Sequence, residues 1–96
     1  MYAQVSRVQI QQGKIEDAVA IFESVVPLVR QQKGFKHFFL LVDRTANQVV
    51  VTNFWESMAD ITALLGSGFY QQQVAKFADI FDGGPERNVY EVVLQA

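Results

Sequence analysis

The side chains in this sequence that can do chemistry are few. Asn53 and Trp55 sit two apart in a strand-like run, Gln48 to Trp55, so they share one face. An indole beside a carboxamide can stack on a flat ligand and donate a hydrogen bond to its carbonyl. His37, the one histidine, titrates near neutrality and suits a general base. Tyr70 can hydrogen-bond a ligand from a helix, and Arg7 can stabilise an anion on a ligand from the first strand. Each has a plainer structural reading. Trp55 can be core, with Asn53 bonded to backbone. His37 can be a core or interface histidine, and Tyr70 a helix-to-sheet packing residue. Arg7 can pair with Glu91 at a sheet edge. Glu16, Asp17, Glu23 and Asp60 read as solvated helix faces.

What is missing excludes other chemistry. The 96 residues contain no cysteine, so disulfides, thiolate metal sites and cysteine nucleophiles are ruled out. One histidine supplies no paired ligands for a metal. Gly66-x-Gly68 and Gly83-Gly84 lack the strand–turn–helix context of a phosphate loop, and no nucleophile elbow is present. Net charge is −2, with eight basic and ten acidic residues spread along the chain. No basic stripe is present, which disfavours nucleic acid as a partner. No apolar run approaches the ~18–20 residues that cross a bilayer, and the N-terminus does not read as a signal peptide. A cytoplasmic protein is the expectation.

The elements that must position these residues follow from periodicity. Residues 2–10 alternate β-branched and polar types and predict a strand. Ile15, Ala18, Val19, Phe22, Val25, Val26 and Val29 form the stripe of an amphipathic helix over about 14–32, with Gly34 as its stop. Pro27 predicts a kink or break within it. Residues 35–43 and 48–55 predict a hairpin across the turn 44–47. An even number of loop residues there sets His37 and Trp55 on opposite faces. Ser57 and Asp60 mark a helix start. Gly66-Ser67-Gly68 interrupts that helix, and a second stretch runs to about Phe81. Residues 87–95 predict the last strand. The order β-α-β-β-α-β over one domain, 1–96, implies a ferredoxin-like α+β fold: a four-stranded antiparallel sheet with helices on one face.

Helices on one face leave the other bare. Yet both parities of the second strand are apolar: Phe35, Phe39 and Leu41 on one side, Phe38, Leu40 and Val42 on the other. The sheet of a second copy is the simplest cover, so a homodimer through the sheet face is expected.

With this order, the Gly34-Phe35 step into the second strand and the run Phe54-Trp55-Glu56-Ser57, the chain resembles the dimeric α/β-barrel proteins. Within them it is most similar to the antibiotic biosynthesis monooxygenase domain, over nearly its whole length. The resemblance implies a small cofactor-independent monooxygenase acting on an electron-rich phenol or quinol, with no metal and no cofactor. Trp55, His37 and Tyr70 are then the candidate catalytic residues, and Asn53 and Arg7 the substrate-binding ones. The same resemblance leaves open a non-catalytic binding or regulatory dimer, or a lyase or isomerase. It disfavours haem degradation. That branch carries an Asn on the first strand and an iron-ligating His on the second helix, and residues 57–82 contain no His.

Overall fold

The computed structural model describes residues 1–96. β-branched and aromatic runs form four strands: β1 (Tyr2–Gln9), β2 (Phe35–Asp43), β3 (Gln48–Trp55) and β4 (Glu86–Glu91). Three helices lie between them: α1 (Ile15–Arg30), α2 (Met58–Gly66) and α3 (Phe69–Ala75). All pairings are antiparallel, in the order β2-β3-β1-β4. This is the ferredoxin-like α+β arrangement. No helix is long and apolar enough to cross a membrane.

Register decides which side chains meet. Tyr2, Gln4, Ser6 and Val8 on β1 stand opposite Trp55, Asn53, Val51 and Val49 on β3. These eight share the face that the helices cover. The stripe Ile15, Ala18, Phe22, Val25 and Val29 of α1 is buried against it, together with Ile61 and Leu64 of α2. Trp55 is the largest fully buried side chain.

Five local readings change. The second helical stretch ends at Ala75 and not near Phe81, which instead bridges to Ile10. α1 runs unbroken through Pro27. The bond that Pro27 cannot make is to the carbonyl of Glu23, and both residues lie on the exposed side, where solvent can take the carbonyl. Phe35 does not share a face with Phe39 and Leu41. A β-bulge between Phe35 and His37 inserts Lys36 and flips the parity. Phe35 therefore meets Trp55 edge-on, centroids 5.7 Å apart. Asp60 does not lie on a solvated face. It is partly buried, and its Oδ2 accepts from Ser57 Oγ at 2.9 Å while its N–H donates back at 3.2 Å. The last strand stops at Glu91, because its pairing with β1 runs out. Val92 donates to the Met1 carbonyl at 2.9 Å, and Val93 and Leu94 are exposed.

The uncovered face carries Phe39, Leu41 and Tyr90, each more than half exposed. His37 lies there too, edge-on to Phe54 at 5.9 Å.

Candidate functional site

Between sheet and helices lies a cavity of about 80 Å³, room for several water molecules. Its floor is the face shared by β1 and β3: Gln4, Ser6, Asn53 and Trp55. Phe22 and Phe77, centroids 4.5 Å apart, and Tyr70 and Gln73 of α3 line its other sides. Most of the lining is apolar, so water is poorly held and any hydrogen bond inside is strong.

Alternation along β3 puts Asn53 beside Trp55, and the two are bonded. Trp55 Nε1 donates to Asn53 Oδ1 at 2.6 Å. An indole N–H can only donate, so the amide oxygen of Asn53 must face it. The Asn53 NH₂ group is left for the cavity. The indole, 1 % exposed, is held edge-on by Phe35.

α3 is short because Gly66-Ser67-Gly68 separates it from α2. Gly68, in the left-handed region at φ 83°, turns the chain. This turn aims Tyr70 and Gln73 at the cavity. The Tyr70 ring is partly buried, with the Arg87 guanidinium 5.0 Å from its centroid. Tyr70, Val74 and Pro85 also line a second, external cleft with Arg87. They are the wall between cavity and surface.

Of the five residues singled out from sequence, the fold brings together Trp55, Asn53 and Tyr70. It does not bring in His37 or Arg7. His37 pairs with Phe54, one step out of phase with Trp55, and so points to the opposite face. Arg7 pairs with Val50 on β3 and Glu86 on β4. It is exposed on that same opposite face, and Glu91 is level with Tyr2 instead. In both cases the strand period of two is the cause.

Two cavity residues were missed. Gln4 is 3 % exposed, and its Nε2 has no hydrogen-bond partner; neither has Oε1 of Gln73. The sequence carried a signal for Gln4. It lies in phase with Val8, on a strand face that must be core, where a carboxamide is out of place. Gln73 falls on the helical stripe of Tyr70, Val74 and Phe77 and could have been noticed there.

The cavity offers no His, Cys or Met side chain to an iron atom, and no cluster of His, Cys, Asp or Glu suits a metal ion. The phenol of Tyr70 is the one side chain of the lining that could reach for an iron atom.

Fold and cavity define the class: a ferredoxin-like α+β protein with a small apolar ligand cavity between sheet and helices. The chain belongs to the antibiotic biosynthesis monooxygenase family, whose model matches residues 1–76. No curated protein sequence matches it. Among solved structures, a protein of unknown function from Nitrosomonas europaea is 18 % identical, with a TM-score of 0.83 over 99 % of this chain and 91 % of that one. The cofactor-independent oxygenase SnoaB from Streptomyces nogalater is 15 % identical, with a TM-score of 0.81 over 98 % and 94 %. MhuD, solved with two manganese protoporphyrin IX molecules per active site, is 20 % identical, with a TM-score of 0.82 over 100 % and 98 %. Identities this low establish a shared fold and not a shared activity.

Proposed function

We propose that the whole chain is one oxygenase domain that converts an aromatic or quinol-type small molecule with dioxygen and no cofactor. One observation carries this reading: the Trp55–Asn53 hydrogen bond, which fixes the indole in the wall of an apolar cavity and leaves that cavity a free amide donor. The indole forms part of the apolar wall against which the substrate ring lies. The Asn53 NH₂ bonds the substrate oxygen and favours its anion, lowering the phenol pKa. An electron-rich anion can pass electrons to dioxygen directly. At a ring CH₂ the balance closes without another reductant: two C–H bonds break, one C=O forms, and the second oxygen atom leaves with both hydrogens as water; at a quinol two O–H bonds break, two C=O bonds form, and dioxygen leaves as hydrogen peroxide. The apolar walls exclude bulk water from the intermediates. Haem degradation is not favoured, since the one histidine lies across the sheet from the cavity.

A homodimer belongs to this proposal. Members of the family are commonly dimeric, and the bare apolar sheet face, with Phe39, Leu41 and Tyr90 half exposed, matches another copy of itself.

A second reading, a non-catalytic binding dimer, draws support from the cavity itself. Tyr70 is its one ionisable side chain, and the histidine lies across the sheet. Oxygen uptake separates the two. Purified protein is tested with 1,4-naphthohydroquinone and anthrone, chelator present. Uptake above the uncatalysed rate that falls at least tenfold in Trp55→Phe supports the oxygenase. No uptake, with the same compounds raising the melting temperature, leaves a binder.

A further inference from the structure

Two amide groups in the cavity wall are not used by the fold. Gln4 is buried and its Nε2 donates to nothing; Gln73 Oε1 accepts from nothing. Leaving such a group buried and unpaired costs about 1–3 kcal/mol. A domain of this size has a net stability of only about 5–15 kcal/mol. A methionine or leucine at either position would fold more cheaply. The two groups are also complementary: one is a donor, the other an acceptor, and they sit on opposite sides of one space.

The sheet side is doubled. Gln4 stands directly opposite Asn53 in the β1–β3 register, and side chains of such pairs lie about 4.5–5.5 Å apart at Cβ. The Asn53 oxygen is occupied by Trp55, so its NH₂ remains. Two NH₂ groups side by side match the two lone pairs of one carbonyl or phenolate oxygen. Across the cavity, the buried unpartnered atom of Gln73 on α3 is its oxygen, which accepts from a donor such as a hydroxyl.

We propose that Gln4 and Gln73 are specificity determinants that read the two ends of a flat ligand. Gln4, with Asn53, takes a carbonyl-type oxygen on the sheet side, and Gln73 takes a hydroxyl on the helix side. The ligand class is a hydroxyaryl ketone or hydroxyquinone with these groups at opposite edges of the ring. The assignment rests on the cavity being the ligand site, as in the proposed function, and narrows what enters it.

Three oxygen-stable probes test it by calorimetry. 4-Hydroxyacetophenone carries both groups, 4-methoxyacetophenone lacks the donor, and 4-ethylphenol lacks the carbonyl. The first is expected to bind at least tenfold more tightly than either of the others. Gln4→Met leaves the Asn53 donor, so it should reduce the preference over 4-ethylphenol at least threefold and keep that over 4-methoxyacetophenone. Gln73→Met should do the reverse. Both variants keep side-chain length and remove an unpaired amide, so they should melt no lower than the parent protein. Binding of all three probes within threefold, no binding at all, or ratios unchanged in the variants would overturn the assignment. Oxygen uptake with 1,4-naphthohydroquinone is measured on the same samples. The expected ratios without uptake would refute the oxygenase and leave the two glutamines as the reading pair. Uptake with flat ratios would refute the pair alone.

Discussion

Trp55 Nε1 donates to Asn53 Oδ1 at 2.6 Å, two residues apart on one face of β3. The bond lies in the cavity wall, where no other acceptor is given to the indole. Asn53→Ala therefore strands a buried N–H and should cost about 1–3 kcal/mol in urea unfolding. It should also reduce oxygen uptake at least tenfold, since the amide donor is gone. Trp55→Phe removes donor and partner need together, so the double variant should be less destabilised than the two single effects added.

His37 and the cavity lie on opposite sides of the sheet. His37→Ala should leave kcat within twofold in the oxygen assay. On the same face, Leu41→Asp puts a charge where Phe39 and Tyr90 are exposed. The expected result is a shift from dimer to monomer in sedimentation. An unchanged sedimentation coefficient would show that this face is not the interface.

Strand parity explains how much was legible beforehand. The order of elements follows from periodicity, and the hairpin 35–43 with 48–55 has the bounds expected of it. The separation of His37 from Trp55 was legible too, because loop parity carries it. The inward turn of Phe35 was not. It depends on the bulge at Lys36, and no residue there announces an extra backbone step. The partnerless amides were half legible. Gln4 breaks an apolar face in plain view, but its lack of a partner depends on where α3 sits. That in turn depends on the left-handed turn at Gly68.

Gly34 holds β2 against the start of α2. Its φ is +86°, and a Cβ there would overlap the Asp60 carboxylate. Its carbonyl accepts from Glu56 N–H at 2.8 Å. Gly34→Ala meets both backbone strain and a clash with a capping residue, so a loss of about 2–3 kcal/mol is expected in urea unfolding. Gly34→Ala combined with Asp60→Ala should recover part of it, since the clash partner is removed.

Lys36, the inserted residue of the bulge, reaches Glu56 with Nζ 2.7 Å from Oε2. The hydrogen bond and charge of Lys36 hold the Glu56 carboxyl below the usual glutamate range. A lowered folded-state pKa means the ionised form is favoured on folding. Its contribution is present above the unfolded value and lost as pH falls through the folded one. Both groups face solvent, so the effect is small and salt-sensitive. Stability should fall as pH drops below the ordinary glutamate range. Lys36→Met should flatten that drop at low salt and change little at high salt.

Tyr70 separates the cavity from the external cleft, and Arg87 lies 5.0 Å from its ring centroid. Two roles for Tyr70 give different kinetics. A wall residue needs its ring and not its hydroxyl. Tyr70→Phe should then leave kcat and KM within twofold, because ring and cation–π contact both persist. Tyr70→Ala should join cavity and cleft, raise KM about tenfold for small quinols and admit larger aromatic compounds. Arg87→Ala should fall between, loosening the ring without removing it. Should Tyr70→Phe instead lower kcat tenfold at unchanged KM, the hydroxyl takes part in the chemistry, and the wall role is refuted.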